Sequence, residues 1–319
     1  MTKTSLIIGS NGQDGKILFE QLTKKGHNVL ACTRDAVLGS EVNYPKPDLV
    51  DARWVTNLIS DIQPTDIYYL AAVHHSAEGV LNSESAAFSS MMATNFLGLV
   101  NVLDGVRLHS PLTRTFYAAS AHIFGAPPSF PQNEESPIKP TTPYGISKSA
   151  GLFACRRFRE VHGLFAVSGI LYNHESSLRS SSFLSAKLAR RVAEIKLGRQ
   201  NELIIGNLDA MVDWGYAPDY TSAMTLMLEQ EMPNDFIVAT GIAHSVRQFA
   251  EVAFDSVGLD FKDYIKTKPS LIQRDHGILV GDPSRLKSAT GWNASISFEA
   301  MVHQLVREQL NAVELTLFS

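Results

Sequence analysis

Tyr144 and Lys148 stand four residues apart in Tyr-Gly-Ile-Ser-Lys, directly after Pro143. At that spacing two side chains share one face of a helix. An ammonium beside a phenol favours the phenolate, which lowers the phenol's pKa and makes it a proton acceptor near neutral pH. Ser120 ends an apolar run from Arg114, where its hydroxyl could bond the same substrate oxygen. A second group of residues points to a phosphate. Gly9-Ser-Asn11-Gly12-Gln13-Asp14-Gly15 lies between an apolar run and a helical one. Glycines there let the backbone turn sharply and approach a pyrophosphate seated at the helix N-terminus.

Which dinucleotide is decided at the end of the second strand. An acidic residue there bonds a ribose 2′-hydroxyl, whereas arginine suits a 2′-phosphate. The run Val29-Leu-Ala-Cys-Thr33-Arg34-Asp35 puts threonine in the acid's place and Arg34 beside it. NADP is therefore favoured. The alternative is that Arg34 is an ordinary exposed charge and Asp35 holds the ribose, which would admit NAD.

The elements that must position these groups follow from hydrophobic patterning. Strands are expected at Ser5 to Ile8, Val29 to Cys32, Ile67 to Ala72, Arg114 to Ser120 and Ala166 to Leu171. Helices are expected at Lys16 to Lys25, Val55 to Ile62, Asn95 to Leu108 and from Tyr144 through His162. Short apolar runs alternating with helices make a doubly wound parallel sheet of Rossmann type, an α/β fold. Beyond Ser176 the pattern changes to further helices at Ser185 to Leu197, Tyr220 to Glu229, Arg247 to Ser256 and Phe298 to Leu315, with Pro269 to Gly281 irregular. We expect a dinucleotide-binding domain over 1–172 and a smaller C-terminal substrate-binding lobe over 173–319. Segments around 208–243 are expected to return to the first domain.

Composition narrows the classes. The chain has 319 residues, a net charge of −4 and 45% hydrophobic residues, so a sizeable core is available and nothing marks a nucleic-acid or membrane partner. Cys32 and Cys155 read as reduced thiols, and no stretch approaches the ~18 apolar residues needed to cross a bilayer. A cytoplasmic protein is expected. His74-His75 has no third ligand at recognisable spacing, so no metal is expected. Glu134-Glu135 reads as a solvated acidic patch. Trp214 and Trp292 read as packing, and His174 and Glu175 as holding a loop.

Taken together, the glycine loop, Asp48-Leu49, Leu70-Ala71-Ala72, Asn95, Ser120 and the Tyr144/Lys148 pair resemble the extended short-chain dehydrogenase/reductases. Gly12-Gln-Asp-Gly15, Tyr172-Asn-His-Glu-Ser176, Ala193 to Gly198, Gly206 to Ala210 with Asp213-Trp-Gly215, and Ala239-Thr-Gly241 with His244 to Arg247 are similar to the GDP-mannose 4,6-dehydratase family. The resemblance implies an NADP-dependent enzyme that converts a nucleotide-linked hexose to a 4-keto-6-deoxy sugar. It implies a cofactor site at Gly9, Asn11, Gly12, Gln13, Asp14, Gly15, Arg34, Asp48, Leu49, Leu70, Ala71, Ala72, Tyr144 and Lys148. Substrate would meet His75, Asn173 and Lys187.

Two departures from the family stand out. The family reads Ser-Thr-Ser-Glu-Leu-Tyr-Gly where this chain reads Ala119-Ser-Ala-His-Ile-Phe-Gly125. His122 thus replaces the glutamate that removes the carbon-5 proton, and a neutral imidazole is a competent base near pH 7. Alternatively His122 only fills the site, and the chain is a 4-epimerase, a 4-keto reductase or a silent sensor of NADP or sugar nucleotides. In the lobe, the family's basic pair is replaced by Met211-Val212, and valine cannot grip phosphate as arginine does. Arg179 or Arg274 could substitute. The short segment between Arg34 and Asp48 lacks the loop that joins family tetramers, so a homodimer is expected.

Overall fold

The computed structural model describes residues 2–74, 83–268 and 277–315. His75 and Arg274 lie outside the described residues. The first half builds strands and helices in turn: β1 (Thr4–Ile8), α1 (Gln13–Lys24), β2 (Asn28–Cys32), β3 (Val37–Leu38), α2 (Ala52–Ile62), β4 (Asp66–Tyr69), α3 (Glu84–Met92), a π-helical turn (Ala93–Leu97), α4 (Gly98–His109), β5 (Arg114–Ser120), α5 (Pro143–His162) and β6 (Ala166–Leu171). The second half adds β7 (Asn173–Glu175), α6 (Leu184–Lys196), β8 (Leu203–Ile205), β9 (Met211–Tyr216), α7 (Ala217–Leu228), β10 (Asp235–Val238), β11 (Ala243–Ser245), α8 (Val246–Asp255), β12 (Ile265–Thr267), α9 (Ser284–Thr290) and α10 (Phe298–Leu315).

A seven-stranded sheet runs β10-β6-β5-β4-β1-β2-β3, parallel except for the β3 edge. Its strands are buried on both faces, as crossover helices require. Trp54, Val55, Leu58, Leu99, Val102, Leu103, Leu152 and Cys155 from α2, α4 and α5 cover one face. Leu18, Leu22, Ala223, Met224 and Met227 from α1 and α7 cover the other. The chain order reverses between β1 and β4, which opens a crevice at the carboxyl ends of those strands, where ligands bind in such sheets. A small sheet β11-β9-β7, the pair β12-β8, and helices α6, α8 and α10 pack as a second core around Trp214, Phe249, Phe254 and Phe298. After leaving the main sheet for this lobe, the chain returns to it as α7 and β10.

The expected elements appear, with boundaries moved for physical reasons. Helix α1 starts at Gln13 rather than Lys16, because the cap falls on Gly12, ahead of the first apolar residue. Strand β4 stops at Tyr69, although Leu70 N–H still bonds Ile8 O at 2.8 Å. The helix expected from Asn95 begins at Glu84 and runs to His109 through the π turn. That continuous helix has the length and mean hydropathy of a membrane span, but Thr94, Asn95, Asn101 and Asp104 interrupt it, so it holds no unbroken apolar run of that length. Its Leu99, Val102, Leu103 and Val106 lie in the core beside the sheet. Glu134 is also not solvated: its carboxylate is buried and accepts the Ile237 N–H of edge strand β10 at 2.8 Å. A short strand that ends the sheet needs a partner for that group, and Glu134 supplies it. Trp214 and Trp292 are both core residues.

Candidate active site

Helix α5 is fixed at its start by local chemistry. The Thr142 hydroxyl accepts the Gly145 N–H at 3.1 Å, and Pro143 occupies the first turn, where its missing N–H costs nothing. Gly145 brings the helix hard against the turn after β5, since a Cβ there would sit 2.5 Å from the His122 carbonyl oxygen. Tyr144 and Lys148 are thereby held beside the ends of β4 and β5. The Ser120 hydroxyl hydrogen-bonds the Tyr144 phenol. It also accepts the His122 N–H at 3.3 Å, which sets the short turn that carries His122. The His122 ring lies 5.8 Å from the Tyr144 ring. Lys148 is buried, with Nζ donating to Ala118 O at 2.6 Å and 5.7 Å from the phenol ring centre. These four side chains come together.

Their proton affinities differ from the expectation. Burial pushes the Tyr144 phenol up to about 12, against the opposing pull of the Ser120 hydrogen bond and the Arg179 charge. Burial pulls the Lys148 ammonium down to about 7. The expected lowering of the phenol is therefore reversed in the chain by itself. The ammonium spends its short hydrogen bond on a backbone carbonyl, and desolvation of both groups wins.

Asn95 locks the neighbouring loop in place. Its amide accepts the Val73 N–H at 2.7 Å and donates to Val73 O at 3.0 Å and to the Ser147 hydroxyl at 2.9 Å. It sits in the π turn, the kind of helical irregularity that gathers at functional sites. The clamp presents His74, whose ring meets Tyr144 edge-on at 4.5 Å and stacks on Phe183 at 5.4 Å. Arg179 covers the Phe183 ring at 3.8 Å and approaches Glu175 at 3.4 Å. His74 and Phe183 were missed as site residues. The doubled histidine was the available signal for the first, and nothing local marks the second.

The glycine loop follows β1. Gly9 has φ +95°, and a Cβ on it would lie 2.5 Å from Ala71 N; one on Gly15 would lie 2.5 Å from Ser10 Cα. Those glycines are required by the chain's own packing, Gly9 against Leu70-Ala71 and Gly15 against the Gly9-Ser10 backbone. Gly12 differs, because a Cβ there would meet only Gly9 O at 3.4 Å. Internal packing does not demand glycine at 12, whereas close approach of an outside group does. No side chain caps the start of α1 at Gly12, so the helix N–H groups face that space. This arrangement fits a pyrophosphate. Asn11 and Arg34 are exposed at the same end of the sheet, as are Asp48 and Ala72. Leu49 packs partly against the core. Asp35 is exposed and pairs with Lys46 at 3.7 Å.

One carboxylate sits in this loop, where it would repel a phosphate. Asp14 is neutralised by His174, whose Nε2 lies 3.0 Å from both carboxylate oxygens. Gln13 donates to the His174 carbonyl at 3.1 Å and accepts the Ser176 hydroxyl at 2.9 Å. Burial acts to raise Asp14 and to lower His174, but the pair's mutual attraction overrides it. Asp14 falls to about 2 and His174 rises above its ordinary value. The Gln-Asp-Gly and Asn-His-Glu-Ser blocks are therefore two halves of one clasp between dinucleotide loop and lobe. His174 and Glu175 do hold a loop, with Glu175 accepting the Ser185 hydroxyl at 2.6 Å.

In the lobe, Asn173 begins β7 and Lys187 lies in the first turn of α6, one turn past Phe183; both are half-buried. Met211 and Val212 open β9, where Val212 pairs with His244. Buried Asp213 ties this strand down by accepting from the Thr240 N–H and hydroxyl and the Gly241 N–H.

The model of the GDP-mannose 4,6 dehydratase family matches residues 6–305. GDP-mannose 4,6 dehydratase 2 of Arabidopsis thaliana is 36% identical, covering 97% of this chain and 87% of that one. The GDP-mannose 4,6-dehydratase of Vibrio cholerae is 31% identical over 98% of this chain and 95% of its own. Among solved structures, RMD from Pseudomonas aeruginosa complexed with NADPH superposes with a TM-score of 0.81 at 22% identity, covering 98% of this chain and 100% of that chain. With a family match over nearly its whole length, this chain belongs to the GDP-mannose 4,6-dehydratase family.

Proposed function

We propose that this chain is an NADP-dependent nucleotide-sugar enzyme that dehydrates a GDP-linked hexose to its 4-keto-6-deoxy form. The observation that carries the reading is the meeting of Ser120, Tyr144, Lys148 and His122 beside an uncapped glycine loop. When bound, the oxidised nicotinamide supplies a reversible hydride sink and a positive charge next to the phenol. Tyr144 takes the proton of the sugar 4-hydroxyl while Ser120 holds the same oxygen. The 4-ketone so formed acidifies the hydrogen on carbon 5, and His122 removes it. The carbon-5 electron pair then forms the double bond to carbon 6 as the 6-hydroxyl leaves as water. His122 finally returns its proton to carbon 5 as carbon 6 regains the hydride first lost from carbon 4.

NADP is favoured over NAD because Asp35 is engaged by Lys46, which leaves Arg34 for a 2′-phosphate. Gly9, Asn11, Gly12, Gln13, Asp14, Gly15, Asp48, Leu49, Leu70, Ala71 and Ala72 would surround the rest of the dinucleotide. Residues 1–172 carry that role, and 173–319 carry substrate, with 208–243 shared. Arg179, the positive charge whose field reaches Tyr144, would take the diphosphate with Asn173 and Lys187. We assign a cytoplasmic homodimer. In support, Ile146, Phe153 and Val161 form an exposed apolar ridge along α5.

Mass spectrometry after incubation with GDP-mannose and trace NADP tests the reading, which requires loss of one water. The imidazole at 122, where the family has a carboxylate, favours a second reading as 4-epimerase or 4-keto reductase. An isomer of unchanged mass, or stoichiometric use of NADPH on a keto sugar, would establish that one. Dinucleotide binding without any turnover would leave only a sensor. A His122→Ala chain that eliminates water at full rate would remove His122 from the mechanism.

A further inference from the structure

We propose that His74 is a second proton carrier, delivering to the departing carbon-6 oxygen the proton that Tyr144 gains from the carbon-4 oxygen. The inference rests on the dehydratase reading. Elimination moves protons at two atoms, since carbon 5 loses one while the 6-oxygen must gain one to leave as water rather than as hydroxide. A His122 that keeps the carbon-5 proton for its return leaves the 6-oxygen to a second donor. Over a full turnover, the proton that departs on water is therefore the one taken from the 4-hydroxyl. A relay from Tyr144 to the 6-oxygen meets that balance within the site.

The imidazole of His74 is placed for that transfer. Asn95 grips the preceding residue through both of its backbone groups and ties it to Ser147 on the helix that carries Tyr144. The ring lies edge-on to the phenol at 4.5 Å and 88°, with the His122 ring 6.3 Å away. Phe183 stacks on it at 20° and Arg179 lies over Phe183, so lobe side chains cover the site and hold the ring. A neutral imidazole accepts a proton at one nitrogen while donating from the other. In the step, the Tyr144 O–H bond breaks and one His74 nitrogen gains that proton. The other nitrogen's proton goes to the 6-oxygen, the C6–O bond breaks, and water leaves. Tyr144 is again a phenolate, and exchange with water resets the imidazole tautomer.

A better leaving group removes the need for this carrier. The test compares GDP-mannose with its 6-deoxy-6-fluoro analogue, because fluoride is a far weaker base than hydroxide. His74→Asn should slow elimination from the hydroxyl substrate about 10²–10⁴-fold, the usual worth of positioned proton transfer. It should expel fluoride at close to the native rate, and bound NADPH should still accumulate from the first oxidation. His122→Asn, lacking the carbon-5 base, should be slow on both substrates. A His74→Asn chain equally slow on both, or unimpaired on the hydroxyl substrate, overturns the carrier alone. A native chain that removes no water from GDP-mannose overturns the dehydratase reading and the carrier with it.

Discussion

Two histidine environments near the mouth of the glycine loop do opposite work. His174 is buried against a carboxylate and stacked on Tyr220 at 4.6 Å, so its positive charge is fixed in place and serves structure. His74 and His122 face the phenol of Tyr144 and a stacked Phe183 instead. A ring held by a carboxylate keeps its proton, whereas one set against the phenol lies beside the group that handles the substrate's protons. The same side chain thus becomes a clasp or a proton carrier according to what the fold brings against it.

The comparison breaks most sharply at the phenol, which both the His74 and the His122 rings face. Tyr144→Phe should lower kcat about 10²–10⁴-fold with folding intact, read by steady-state kinetics alongside circular dichroism. Next in size is the loop that the clasp secures. Gly9→Ala must hold an L side chain at φ +95° against the Ala71 backbone, at a cost of about 1–3 kcal/mol in strain before the clash is counted. Denaturant midpoints should fall, and dinucleotide binding should be lost with them. An unchanged midpoint would show that the loop is not built as described.

The clasp itself gives a smaller effect, with a definite sign. The raised affinity of His174 contributes stability that is fully present below its ordinary 6.5 and is lost as pH rises through its folded value. Asp14 contributes above its ordinary 3.8, and that part is lost as pH falls toward about 2. His174→Gln should therefore remove the alkaline decline that starts above 6.5. Urea unfolding across pH checks it, and a parallel decline in the variant would deny the ion pair. The smallest change concerns the lobe. Val212→Arg restores one of the family's basic side chains at the start of β9 and should tighten GDP binding about tenfold, the worth of one charge-assisted contact. Calorimetry reads it, and a null result would place the diphosphate away from β9.

Much of this was legible before any coordinates. Alternating apolar runs give parallel strands, and Pro143 ahead of Tyr144 marks a helix start, because these signals depend on neighbours in sequence. The Gln-Asp-Gly and Asn-His-Glu-Ser blocks could be recognised, but not that they grip each other across 160 residues. Phe183 carries no local mark. Its place over His74 depends on where the first turn of α6 comes to rest against a loop from the other half of the chain.

What the sequence determined by itself is the set of chemical groups and their local spacing: phenol and ammonium one turn apart, hydroxyl at a strand end, glycines where the backbone must turn. The tertiary structure alone decided their proton affinities and partners. Burial reversed the expected shift of Tyr144, a carbonyl took the Lys148 ammonium, and an unforeseen imidazole arrived beside the phenol. Ionisation responds to every charge, dipole and excluded water within a few ångströms, and those neighbours come from elements far apart in the chain.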